Sequence, residues 1–168
     1  ANVSIALPEG AFLQATADGE AALVKAVQSA LAGAVEVADL FAGLGTFALA
    51  LPGKVHAVEG ARDAVLALIA ARRVAVEHRD LFRRPLSVAE LSRFDGVVLD
   101  PPRAGAKEQV AALAKSTIPK IAYVSCNPAT FARDAKTLVD GGYRLERITP
   151  VGQFRWSTHV ELAAAFIR

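Results

Sequence analysis

Apolar residues along the chain follow two alternating rhythms. Strand-like segments occur at 35–41, 55–58, 74–77, 95–99, 121–125, 143–149 and 159–167, and the first reads as a buried strand. Between them the spacing turns helical. Residues 18–32 carry Ala22, Val24, Val27 and Leu31 on one face, with Asp18 as the expected cap. Helices are also expected over 62–72, 107–115 and 129–139, with shorter ones over 46–51 and 87–91. Pro128 stands at the first position of the 129–139 helix, and Gly141-Gly142 ends it. Strands that alternate with helices predict an α/β fold, a largely parallel sheet with helices on both faces. Ligands of such sheets bind at the carboxyl ends of the strands, so the chemistry is expected just after each strand.

Composition narrows the class. The 168 residues are 53% apolar and 21% charged, which suits one packed domain rather than disorder. The longest uncharged stretch, residues 40–53, is interrupted by Gly43, Gly45 and Pro52. It falls short of the about 20 residues that a membrane helix needs, so no membrane partner is expected. No basic patch precedes an apolar run at the start, so no leader is expected and a cytoplasmic location is. One cysteine excludes an intrachain disulfide and a cysteine zinc site, and His56, His78 and His159 are scattered, so no metal is expected. With no methionine, even at position 1, the chain reads as part of something longer; a monomer is expected. Charge is uneven: residues 1–61 hold two basic and six acidic side chains, and residues 62–168 hold 17 basic and 11 acidic. Thirteen of the 19 basic residues are arginine, which suits bidentate phosphate contacts.

Four strand ends carry candidate chemistry. After the first strand, Gly43 and Gly45 permit a tight turn and close backbone approach to a ligand. Glu59, after the second strand, can accept hydrogen bonds from two ribose hydroxyls. Together they suggest an adenosine ligand, a feature shared by nicotinamide and S-adenosylmethionine enzymes. After the fourth strand, Asp100-Pro101-Pro102-Arg103 makes a stiff loop that leaves carbonyls and a carboxylate available to a planar ligand. After the fifth, Ser125-Cys126-Asn127-Pro128 puts the thiol at a helix N-terminus, whose N–H groups favour a nucleophilic thiolate. Glu161 stands in the otherwise apolar last strand, where a carboxylate is either paired or used as a base. His159 shares that face and is a rival base.

Segments 39–47, 100–105, 125–134 and 153–161, in that order, resemble the RNA 5-methyluridine methyltransferases, and Phe12-Leu13-Gln14 extends the likeness towards the start. The resemblance implies a Rossmann-like class I methyltransferase fold, with a seven-stranded, mostly parallel sheet and an antiparallel last strand. It implies one S-adenosylmethionine-dependent domain over 1–168, with 1–17 as a remnant of a preceding subdomain and an N-terminal RNA-binding domain outside this chain. It also implies Cys126 as nucleophile and Glu161 as proton acceptor. Gln14, Phe41, Glu59, Asp80 and Asp100 are implied as cofactor contacts beside the Gly43 and Gly45 turn; Thr46 stands where many members have Asn. Arg103, Arg133 and Arg155 are candidates for phosphate or uracil contacts, and Phe154 and Trp156 for base stacking. The partner implied is RNA, ribosomal favoured over transfer RNA, with the target base swung out to reach the pocket. The interval between the helix ending at Arg72 and the strand starting at Val74 is shorter than in the family. Two rival readings are a methyltransferase acting on another substrate, which needs no cysteine, and a binding module without catalysis.

Overall fold

The structure, a computed structural model, describes residues 5–11, 13–153, 156 and 160–168. Seven strands form one sheet: β1 (Glu36–Leu40), β2 (Lys54–Glu59), β3 (Ala75–His78), β4 (Gly96–Leu99), β5 (Lys120–Ser125), β6 (Arg144–Val151) and β7 (Glu161–Ile167). Their order is β3-β2-β1-β4-β5-β7-β6. β1 to β5 pair in parallel, and β7 lies antiparallel between β5 and β6. This is the expected class I methyltransferase arrangement, with its antiparallel last strand.

The helices are α1 (Ala17–Ala30), α2 (Arg62–Ala71), α3 (Val88–Leu91), α4 (Lys107–Ala114) and α5 (Pro128–Asp140). Strand side chains alternate between two apolar layers. Ala38, Leu40, Val97, Leu99, Ile121 and Tyr123 join α3, α4 and α5 on one face. Val37, Val98, Ala122 and Val124 join α1 and α2 on the other. Both faces being covered, the inner strands β1, β4, β5 and β7 are largely buried, whereas the edge strands β3 and β6 are not, and each fully buried Leu or Val adds roughly 1.5–3 kcal/mol.

Local details depart from the expected pattern. Thr16, not Asp18, caps α1: its backbone is extended and its side chain accepts from Gly19 N, while Asp18 sits in the first turn. Residues 46–51 make turns rather than a helix. Buried Asp39 accepts Ala48 N–H at 2.8 Å, which takes one amide out of any helical ladder there. The short interval after α2 closes through Arg72 in the left-handed conformation, its N–H donating to Ile69 O. Ile5 to Leu7 form no strand, and residues 1–4 lie outside the described set. No helix among the described residues is long and apolar enough to cross a membrane.

Candidate active site

Strand order reverses between β1 and β4, since the chain continues from β1 to β2 on one side and from β4 to β5 on the other. The two carboxyl ends therefore open side by side, joined by Asp100 N–H donating to Leu40 O at 3.3 Å. A cavity of about 840 Å³ lies there. Gln14, Phe41, Gly43, Thr46, Glu59, Asp80, Asp100, Arg103, Cys126 and Glu161 all line it.

The β1 loop is bent to face this space. Phe41 (φ 63°) and Gly43 (φ 55°) both adopt left-handed backbone, a strained state for phenylalanine. A methyl group on Gly43 would meet nothing within 4 Å, so the loop presents bare backbone to the cavity. Gly45 is outside the lining; a Cβ there would meet Leu68 Cδ2 at 2.6 Å, so its role is close packing on α2. Glu59 ties the loop to β2: one carboxylate oxygen accepts from Gly43 N (2.8 Å), the other from Ala61 N (2.6 Å). Phe82 packs against Phe41, ring centroids 5.2 Å apart, and lines the same wall. Asp80 caps its own turn, accepting from Phe82 N and Arg83 N.

At the opposite wall, Cys126 is partly exposed and precedes Asn127, whose side chain caps α5 through Ala129 N. β7 runs antiparallel to β5 with Leu162 opposite Ser125, so its first residue, Glu161, begins where β5 ends. That register brings a carboxylate from the end of the chain to the thiol's cavity. Glu161 is buried. Asp100 feels it: burial first, and Glu161's charge second, push the Asp100 carboxyl up to about 7. Beneath the floor, Asp39 is fully buried with Oδ1 unpartnered among the described residues. Its carboxyl is raised by burial, then by Asp100, against the pull of the Ala48 N–H.

Gln14 reaches the cavity through a long-range link: Gln153 Nε2 donates to Gln14 Oε1 at 2.7 Å, while Gln153 Oε1 accepts from Thr16 N. Arg133 is not part of the lining; its guanidinium binds Asp134 and the Ala104 carbonyl. Trp156 is fully exposed. Arg155, Phe154, His159 and Phe12 lie outside the described residues. Among the described residues no cluster of His, Cys, Asp or Glu is arranged to hold a metal. Sequence reasoning missed Asp39, Phe82 and Gln153. Asp39 carried the signal that exposed Glu161, a carboxylate in an apolar strand.

A family model described as tRNA (uracil-5-)-methyltransferase matches residues 70–168. A Zymomonas mobilis protein named as an uncharacterized RNA methyltransferase is 58% identical over 99% of this chain and 44% of its own length. The 23S rRNA (uracil(1939)-C(5))-methyltransferase RlmD of Chromohalobacter salexigens is 40% identical over 95% of this chain and 35% of its own. The crystal structure of Pyrococcus abyssi tRNA (uracil-54, C5)-methyltransferase in complex with S-adenosyl-L-homocysteine has a TM-score of 0.83 and 30% identity, covering 94% of this chain and 40% of that one. The chain thus spans less than half the length of these relatives.

Proposed function

The chain belongs to the tRNA (uracil-5-)-methyltransferase family, and on that premise we propose that its cavity transfers a methyl group from S-adenosylmethionine to C5 of a uridine in structured RNA. The observation that carries this reading is the meeting of Cys126 and Glu161 in one cavity with the Gly43 turn, Glu59 and Asp100.

The residues present fit the cofactor. Bare backbone at Gly43 leaves room for a nucleoside, Glu59 offers carboxylate acceptors to a ribose, and Phe41 with Phe82 offers an aromatic wall. Asp100 and Gln14 offer polar contacts to the rest, and an acidic end suits a cationic group. When bound, the cofactor supplies an electrophilic methyl group.

Uracil C5 is a weak nucleophile until the ring is activated. Cys126 Sγ adds to C6, and the electron pair of the C5–C6 bond becomes available at C5. Once C5 has taken the methyl group, Glu161 accepts the C5 proton. The electrons left behind restore the double bond as the C6–S bond breaks, returning the thiolate. One thiol and one base meet the demand. Cys126 lies within the cavity, so the target base must be swung out of its helix or loop to reach it. Arg103, on the cavity rim, is the candidate contact to uracil oxygen or phosphate. Ribosomal RNA is the favoured substrate, supported by the higher identity to the ribosomal than to the transfer RNA enzyme.

The test mixes the intact protein with S-adenosylmethionine and RNA carrying 5-fluorouridine. Fluorine at C5 cannot leave as a proton, so a covalent protein–RNA adduct accumulates at Cys126, visible by denaturing gel and peptide mass spectrometry. Cys126→Ala forms none. Methyl transfer that survives Cys126→Ala sinks this reading in favour of a methyltransferase acting on another substrate.

A further inference from the structure

The proposed chemistry needs two loops in fixed register: the loop after β4, which carries Asp100 and Arg103, and the turn after β5, which carries Cys126. One face of α5 holds them together. Asn127 Nδ2 and Thr130 Oγ1 both donate to the Arg103 carbonyl, at 3.0 and 3.1 Å. One turn further on, Arg133 Nη2 donates to the Ala104 carbonyl at 3.1 Å. Asp134, next along and buried, accepts from Ala106 N at 2.8 Å and from the Tyr123 hydroxyl at 2.7 Å. Its other oxygen accepts from Arg133 Nε at 2.9 Å. Positions 127, 130 and 134 recur at helical spacing, so they form one edge facing one loop.

Two further observations mark this contact as tight. Gly105 sits at φ +76°, and a Cβ there would lie 2.5 Å from Arg133 Nη2 and 2.7 Å from Asp134 Oδ2. The loop therefore meets the helix at backbone distance. Tyr123 lies on β5, so Asp134 ties the loop to the strand that leads into Cys126 as well as to the helix that follows it. Burial and the hydrogen bond to Asp134 push the Tyr123 hydroxyl up, so it remains a donor.

We propose that Asp134 and Arg133 are positioning residues: they hold the Asp100–Arg103 loop at a set offset from Cys126 Sγ, so that base recognition and nucleophilic attack occur in one geometry. This rests on the uridine reading above. It gives Arg133 a different task from the RNA contact that its charge suggests.

The intact protein is compared with Arg133→Gln, Arg133→Lys, Asp134→Asn and Thr130→Val. Three quantities are measured: the rate of 5-fluorouridine adduct formation at saturating RNA and S-adenosylmethionine, cofactor affinity, and the salt dependence of RNA binding. Both Arg133 variants are expected to slow adduct formation about 10- to 100-fold, the scale of a small misplacement of reacting groups. Cofactor affinity falls by less than the adduct rate, because Asp100 moves with the loop, and the slope of log affinity against log salt stays unchanged. Lysine keeps the charge but lacks the planar fork that serves Asp134 and Ala104 together, so it does not rescue. Thr130→Val produces a smaller slowing, because Asn127 still holds the Arg103 carbonyl; this variant reports if Asp134→Asn does not fold. The proposal is overturned if lysine restores the rate while glutamine lowers the salt slope by about 1, the mark of a phosphate contact. It is overturned equally if the variants only melt earlier and react at the wild-type rate per folded molecule. A wild-type protein that binds cofactor yet forms no adduct overturns the uridine reading and this proposal together, whereas a wild-type adduct with unaffected variants overturns the positioning alone.

Discussion

A carboxyl group set beside another and away from water holds its proton longer. Asp100, pushed up to about 7 by burial and by Glu161, has an ordinary value near about 4 in the unfolded chain. Between those values the folded protein binds more protons at this site than the unfolded chain does. The contribution to stability is full below about pH 4 and is lost as pH rises through about 7. Asp39, raised by the same burial and by Asp100 itself, acts with the same sign. Asp100→Asn removes that titration. Its melting temperature, relative to wild type, is expected to gain more at about pH 8 than at about pH 5, by roughly 2–4 °C for each kcal/mol relieved. Thermal melts across that range check it, and parallel pH profiles for the two proteins would contradict it. Glu161 has a kinetic signature instead. Glu161→Gln keeps the shape and loses the proton acceptor, so methyl transfer is expected to fall about 10²–10⁴-fold. The covalent adduct then accumulates on ordinary uridine RNA, because the C6–S bond waits on departure of the C5 proton. Mass spectrometry of the trapped peptide distinguishes this from simple loss of binding.

Among the elements, α5 does the most. Its cap, its first turn and its buried Asp134 govern two loops at once, and Gly105 is where loop and helix touch. Gly105→Ala meets both a left-handed backbone and the Arg133–Asp134 pair. The expected cost is about 1–3 kcal/mol of stability, read by denaturant titration, with a slower adduct rate in the protein that remains folded. An alanine variant as stable and as fast as wild type would mean that the loop can back away without consequence. The β1 turn is governed in the same manner by Glu59, which spends one carboxylate lone pair on Gly43 N and another on Ala61 N and still borders the cavity.

For the whole molecule, topology and charge point to a division of labour. The doubly wound sheet places the cavity at its switch point, where loops from several strands line it. Residues 62–168 carry 17 basic against 11 acidic side chains, a modest excess for counterion release on RNA, and the relatives are more than twice as long. This chain by itself is therefore expected to bind S-adenosylmethionine but to hold RNA weakly, with a shallow salt dependence. Calorimetry with the cofactor and filter binding with ribosomal and transfer RNA fragments check both halves. Tight, steeply salt-dependent RNA binding by these residues alone would contradict the second.

Strand and helix periods were legible because both are local: an apolar run before Gly43, before Asp100 or before Cys126 announces a strand end, and strand ends are where this class of sheet binds ligands. That rule is why Gly43, Glu59, Asp100 and Cys126 could be named from their places in the chain, whereas Gln14, Phe41 and Asp80 rested on the family resemblance. Where a distant partner decides, the local pattern misleads. Residues 46–51 have a helical look, yet Asp39 takes the Ala48 amide; Arg133 looks like a surface cation, yet Asp134 and a carbonyl 29 residues earlier claim it. Glu161 stood out as a carboxylate in an apolar strand, but its place beside Asp100 and in the cavity of Cys126 required β7 to enter antiparallel between β5 and β6. Composition and periodicity determine which elements form and which ends carry chemistry, because those depend on neighbours a few residues away. Strand insertion, register and the pairing of buried polar groups were decided by the tertiary structure, because hydrogen bonds between distant segments are chosen only when the whole sheet closes.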